Sequence, residues 1–337
     1  MQEPVKDVYF FTTGENLCAN ISAPTELSFT TAALSILLSA VTVPGNLLVV
    51  LAIFIDPNKE LSRSPFNYFV ANLAVADLLV GLVTEPVSAV YHIQEGLGGI
   101  TSAALPAIHL PFFISTTASV LSLAALTMER FTAISSPVKY RMKLNPIRAA
   151  VVCIAIWVVS LSFPFVYFHV GYIGFCFLFG NTAIILTFGV LLFSYIRVYR
   201  IFKLQVQQWD IFHKSTRKNR VKKRTVKLEQ KITKTFLIMI AMFIACYLPA
   251  CVAIYVINLC PVSVCSCYIY HWARDLMIVF VLVNSSLNPF LYSWRLYNFR
   301  QAFVWIITCS RHGGKTRYLS SVEMRSSVRR PRNDNQL

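Results

Sequence analysis

The sequence predicts an all-α membrane protein: a seven-transmembrane helix bundle followed by a short amphipathic eighth helix. Three observations predict it. Of 337 residues, 56% are apolar and only 14% charged, against about 25% charged in a soluble domain, and the mean hydropathy is +0.58. Seven segments are long and apolar enough to cross a hydrocarbon core about 30 Å thick, which takes about 20 helical residues. The 31 Lys and Arg, set against 15 Asp and Glu, concentrate in alternate connections, as cytoplasmic loops do.

The spans run Ser28 to Phe54, Phe66 to Tyr91, Ser102 to Ile134, Ala149 to Val170, Ile173 to Phe202, Ile232 to Cys260 and Tyr268 to Trp294. Before the first, Lys6 stands among Glu3, Asp7, Glu15 and Glu26, whereas the stretch from Lys203 to Lys234 includes Arg217, Lys218, Arg220, Lys222, Lys223 and Arg224. Lys139, Arg141, Lys143 and Arg148 follow span three, and the outer side holds almost no base except Arg274. The N-terminus is therefore placed outside and the C-terminus inside, in a multi-pass protein. The net charge of +16 is a topology signal, and nucleic acid is not an expected partner.

Residues 1–27 form an outer segment without an apolar signal-peptide core, so span one serves as the membrane signal. Asn20-Ile21-Ser22 is a glycosylation acceptor in that segment, while Asn284-Ser285-Ser286 has the same pattern inside a span. The bundle occupies 28–294. Over 295–309, Leu296, Phe299, Phe303 and Ile307 recur at helical spacing, as in a helix lying on the membrane among its lipids. The tail, 310–337, is polar and read as disordered.

Polar residues inside spans are costly and point to function. Asn46 stands in span one, and Asp77, Ser119, Asn284, Ser285 and Asn288 supply oxygens and no basic partner, a set suited to a small cation and waters. A protonated Asp77 in a structural hydrogen-bond network suits the same residues equally well.

The order of several short motifs carries a resemblance. Gly45-Asn46, Leu73-Ala74-Val75-Ala76-Asp77, Glu129-Arg130-Phe131, Trp157, then Phe243, Cys246, Tyr247 and Pro249, and finally Asn288-Pro289-Phe290-Leu291-Tyr292 with Phe299-Arg300, together resemble the rhodopsin-like (class A) G-protein-coupled receptors from about Ser28 to Cys309. The resemblance implies a plasma-membrane receptor that binds an extracellular small molecule, lipid or peptide and activates a heterotrimeric G protein. It is then not an enzyme and needs no cofactor beyond an allosteric sodium ion at Asp77, Ser119, Asn284, Ser285 and Asn288. Arg130 matches the arginine that meets the G protein, restrained by Glu129 and, across an ionic lock, by Glu229. Tyr195 and Tyr292 match the tyrosines that approach it in the active state. Pro249 supplies a pivot in span six. Tyr247 stands where the family usually has Trp, Glu129 where it has Asp and Phe131 where it has Tyr.

Absences speak to the ligand. Phe112 occupies the place of the amine-receptor Asp, 18 residues before Arg130, so a biogenic amine is disfavoured; Leu282 occupies that of the retinal lysine. Leu105 stands where the span-three disulfide cysteine is usual, the second outer loop is very short, and Thr187 replaces the proline of span five. With Cys260-Pro261-Val262-Ser263-Val264-Cys265-Ser266-Cys267, these departures resemble the melanocortin, cannabinoid and adenosine branch. That resemblance implies bridges Cys260–Cys265 and Cys18–Cys267, although four outer cysteines permit three pairings. It also gives Cys309 as a palmitoylation site. Glu85, His109, Phe112, Phe113, Thr116, Tyr247, Cys251, Ile254 and Leu282 are expected to line an apolar, aromatic pocket with one acid and one imidazole. Phosphorylation of Ser320, Ser321, Ser326 and Ser327 would suit arrestin, as a solvated tail also would. The alternative classes, a seven-span transporter or a membrane enzyme, lack support: no inverted repeat and no HExxH or GxSxG motif occurs.

Overall fold

Span one shows how a helix reads when lipid, not water, is outside. Its buried stripe is Ser28, Thr31, Ser35, Thr42, Asn46 and Val49, while Ile36, Leu37 and Phe54 are exposed. Polar groups turn inward because only neighbouring helices can satisfy them. The computed structural model describes residues 18, 21–55, 61, 64–99, 105–135, 146–171, 174, 175, 177–182, 185, 189, 192, 193, 196, 200, 238, 241–257, 259, 260, 266–295 and 297–308.

Among the described residues, five helices are long and apolar enough to cross a membrane: Thr25–Ile55, Pro65–Gly96, His109–Ala133, Pro146–Gly171 and Cys267–Ser293, with a shorter apolar helix at Ala241–Ile257. These are spans one to four, seven and six. Residues 177–182 of span five are helical, and a final helix runs Tyr297–Ile307. Span one packs on two, on seven and on the final helix; span two packs on three and four, and three on four. The arrangement is a seven-helix bundle.

Several expected boundaries move by a few residues: span one starts at Thr25, not Ser28, and the helix of span three at Leu105, not Ser102. Span two continues past Tyr91 to Gly96, where Gly98, at φ +74°, turns the chain. There Gly98 N–H bonds Glu95 O at 3.0 Å and Gly99 N–H bonds Gln94 O at 2.9 Å, a glycine-closed helix end. Span four starts at Pro146, not Ala149. Arg274, read as an outer-side base, is a buried residue within the seventh helix, Cys267–Arg295.

Span two is also interrupted. Between Pro65–Leu79 and Glu85–Gly96 lies a π turn, Val80–Thr84. Pro86 has no N–H to continue the α ladder, which favours a widened turn just before it. Gly81 O accepts from Ser39 Oγ at 2.8 Å, so span one supplies a bond there. A relay then ties three spans: Trp157 Nε1 donates to Asn72 Oδ1 at 3.0 Å, and Asn72 Nδ2 donates to Ser122 Oγ at 2.7 Å. The final helix is anchored by buried Phe299, whose ring stacks on Tyr292 with centroids 5.7 Å apart.

Candidate functional site

Three stations lie along the bundle. At the outer one, Phe112, Phe113 and Thr116 of span three face Tyr247, Ala250, Cys251 and Ile254 of span six across a cavity closed by Phe179, Gly180, Met277 and Val281. The lining is apolar and aromatic. Phe113 also packs edge-on to Phe175, with centroids 4.6 Å apart, so it serves both core and cavity. Tyr247 stacks on Phe243 at 4.1 Å, and Cys251 Sγ donates to Tyr247 O at 2.6 Å, one turn around Pro249.

Three residues expected in the pocket are not among its walls. Glu85, fully buried, accepts from Thr42 Oγ1 of span one at 3.1 Å, because the π turn rotates the helix that follows. His109 turns its Nδ1 to Tyr167 Oη at 3.2 Å. Leu282 is buried beside Val281 rather than facing the cavity. The expected acid and imidazole therefore do not line it, whereas Phe179, Gly180, Ala250, Met277 and Val281, which the sequence reading did not name, do.

At mid-depth Asp77, fully buried, accepts from Ser119 Oγ at 3.3 Å and from Asn288 Nδ2 at 2.7 Å, and Ser285 is buried on the same helix as Asn288. Asn284 is buried on the same helix. Asn46 Nδ2 bridges Thr42 O at 3.0 Å and Ser285 O at 3.1 Å, joining span one to span seven. Asp77 forms no salt bridge among the described residues. Its partners are hydroxyls and amides, which can turn oxygens toward a hard cation.

At the inner end, Arg130 is gripped by its neighbour. Its Nε donates to Glu129 Oε2 and its Nη2 to Glu129 Oε1 at 2.6 Å, a bidentate pair. The guanidinium also lies 4.1 Å from the Phe66 ring centroid, a cation–π contact. Tyr292 is fully buried, and its hydroxyl has no partner among the described residues. Glu229, Tyr195, Asn20 and Cys309 lie outside the described residues.

The outer ends hold a network that sequence reasoning missed. Cys18 is joined to Cys267. Cys260 is disulfide-bonded too, while Cys265 lies outside the described residues. Beneath Cys267, buried Glu95 accepts from Ser28 Oγ at 3.0 Å and from Arg274 Nη2 at 2.8 Å. Asp275 accepts from Arg274 Nε at 2.7 Å and from Thr31 Oγ1 at 3.1 Å. The available signal was the Arg274-Asp275 pair inside an apolar run and the i, i+3 spacing of His92 and Glu95.

The sequence matches the family described as 7 transmembrane receptor (rhodopsin family) over residues 45–292. It is 27% identical over 330 residues to the histamine H2 receptor of Homo sapiens, an overlap of 87% of this chain and 84% of that one. With the histamine H2 receptor of Cavia porcellus it shares 29% over 324 residues, 88% and 86% of the two chains. With the D(1) dopamine receptor of Carassius auratus it shares 26% over 322 residues, 80% and 85%. These likenesses overturn the melanocortin, cannabinoid and adenosine branch expected above, and conflict with its non-aminergic character. The features behind that expectation, a cysteine-rich loop, a short second outer loop and a few single-residue absences, are local. The similarity to receptors named for amines extends over more than three hundred residues.

Proposed function

This chain belongs to the rhodopsin family of seven-transmembrane receptors, and from that premise we propose how its own residues carry the signal. As a member it is a multi-pass plasma-membrane receptor, not an enzyme, whose partners are an extracellular ligand and a heterotrimeric G protein. In our reading the N-terminus is outside, as the distribution of Lys and Arg supports. Residues 28–294 form the bundle and 295–309 the surface helix. The tail serines engage arrestin once phosphorylated.

The observation that carries the mechanism is the bidentate Glu129–Arg130 pair at the inner end of span three, whose outer half lines the cavity. Ligand in the cavity presses on Tyr247 and Cys251, one turn around Pro249. Span six then swings outward at its inner end, and Arg130 leaves Glu129 and Glu229 for the G protein. A two-state element of this kind responds to whichever partner binds one state better. In our reading Tyr292 receives Arg130 in that state, supported by its hydroxyl having no partner among the described residues.

The ligand we infer is a small molecule with an aromatic or strongly apolar part, since that is what the walls offer. The histamine and dopamine that name the relatives each combine an aromatic ring with an amine. Their rings suit Phe112, Phe113, Phe179 and Tyr247, but an ammonium group would find Phe112, not an acid, on span three. A sodium ion fits the oxygens around Asp77, where Ser119, Asn284, Ser285 and Asn288 would complete its shell and hold the resting state.

The test is cellular cAMP in cells displaying this chain or Arg130→Ala, first without ligand and then with histamine, dopamine and fatty-acid amides in turn. A basal or evoked change that disappears in Arg130→Ala at equal surface display is expected. A response that survives in Arg130→Ala overturns the mechanism.

A further inference from the structure

We propose that His92, Glu95 and Asp275 form a binding site for a zinc-type divalent cation at the outer ends of spans two and seven, separate from the cavity and from Asp77. His92 Nδ1 lies 3.1 Å from Glu95 Oε2 and 3.7 Å from Asp275 Oδ2, and the three donor atoms all lie within 4.8 Å of one another. A tetrahedral zinc with bonds of about 2.0–2.2 Å holds its ligand atoms about 3.3–3.6 Å apart. The two edges from His92 bracket that spacing and the third, between the carboxylates, lies within 4.8 Å, so an ion enters as the side chains close on it. His92, Glu95 and Asp275 are 0%, 6% and 1% exposed, so the site is built into the bundle rather than scattered on its surface.

Local structure prepares it. The π turn at Val80–Thr84 and the helix beyond it carry His92 and Glu95, one turn apart, toward span seven. The His92 ring is held through Nδ1, and its Nε2 has no partner among the described residues. Ser28 and Thr31 brace the two carboxylates from span one, leaving a fourth position for water.

Charge favours a cation as well. Two buried carboxylates face one guanidinium, Arg274, so with a neutral imidazole one negative charge is left over, a costly state in the interior. Arg274 need give up only Glu95. Its Nε keeps Asp275 Oδ1 at 2.7 Å, its Nη1 keeps Tyr91 Oη at 3.2 Å, and its guanidinium carbon already lies 5.6 Å from the Tyr91 ring centroid. Arg274 then becomes the outer-shell partner that orients Asp275. One imidazole nitrogen with few oxygens suits zinc and not calcium, which takes six to eight oxygens. The ion would clamp spans two and seven beneath the Cys18–Cys267 bridge.

The experiment uses the purified full-length receptor with its disulfides intact, titrated with zinc chloride against a chromophoric chelator. One zinc per chain at micromolar affinity is expected, not displaced by excess magnesium or calcium. His92→Asn and Asp275→Asn should each weaken it about tenfold or more. X-ray absorption on the zinc-loaded wild-type chain needs no variant to fold; it should show a nitrogen and oxygen shell at about 2.0–2.2 Å without sulfur. Absence of binding by the wild-type chain overturns the proposal. So does undiminished binding by His92→Asn, or a shell of sulfur or several imidazoles.

Discussion

Gly45 and Pro289 touch so closely that a β-carbon built on Gly45 would stand 2.9 Å from Pro289 Cγ. That contact lets span one approach span seven near the level where Asn46 Nδ2 reaches Ser285 O. Two effects oppose each other when Gly45 gains a side chain. Helix propensity favours Ala over Gly by about 1 kcal/mol, whereas overpacking a close contact costs about 1–3 kcal/mol, and a proline ring has little room to yield. Gly45→Ala should therefore be no more stable than the parent, and Gly45→Val clearly less, in thermal unfolding of the purified receptor. A raised midpoint for Gly45→Ala would show that the contact is slack.

Glu129 holds Arg130 through both carboxylate oxygens. Gln at 129 keeps the shape but removes the charge, and charge-assisted bonds are about twice as strong as neutral ones. Ligand-free signalling by Glu129→Gln should rise severalfold at equal surface display, as measured by cellular cAMP. Unchanged basal signal would assign the restraint to something other than this pair.

Legibility in the sequence followed the range of the interactions. The spans could be read because hydropathy over about 20 residues reports burial in lipid whatever the neighbours are. Asp77, Ser119, Ser285 and Asn288 could be grouped because a carboxylate in mid-span demands polar partners, and the structure brings Ser119 and Asn288 within bonding distance of Asp77. Glu85 was misplaced because its direction depends on a π turn of a kind that periodicity does not reveal. His109 was misplaced because its partner, Tyr167, lies across a tertiary contact. The Arg274–Glu95 pair spans 179 positions, so neither residue announces the other. The branch of relatives was misjudged because a few local features, the cysteine-rich loop, the short second outer loop, Leu105 and Thr187, outweighed a similarity spread along the chain.

Trp157 and Asn72 link spans four and two through a bond of 3.0 Å, and Asn72 passes the link to Ser122. Interhelical bonds inside bilayers average about 0.6 kcal/mol and reach about 1.7. A double-mutant cycle with Trp157→Phe and Asn72→Ala should return a coupling in the upper part of that range, because Asn72 loses a partner on one side and strains the other. Additive losses of thermal stability would mean that the two side chains share space without sharing a bond.

Asp77 accepts from Ser119 and Asn288 and forms no salt bridge among the described residues. If sodium supplies the missing positive charge, Asp77→Asn removes the reason for it to bind while keeping hydrogen bonds to the neighbours. Thermal stability of the parent should rise when sodium replaces choline at constant ionic strength, and that of Asp77→Asn should not. An equal sodium effect in both proteins would move the ion elsewhere or remove it from the account.

Cys18 and Cys267 close a loop of 249 positions. For a chain that unfolds to a random coil, such a loop implies about 5 kcal/mol of entropic stabilisation. Here the enclosed helices remain threaded through the bilayer after tertiary contacts are lost, so most of that freedom is never regained. The bridge should then contribute well under that value globally and act mainly on what it tethers. Cys18 packs with Ile257 and Tyr270, and His271 Nε2 lies 2.9 Å from Ile21 O, so Cys18 and Ile21 rest on the outer ends of spans six and seven. Cys18→Ser, Cys267→Ser and the double variant should show the same rise in amide exchange over 18–24 and 267–274, with little change in the thermal midpoint. A double variant that exchanges markedly faster than either single one would mean that the cysteines contribute separately, and that the tether is made by the packing around Tyr270 instead.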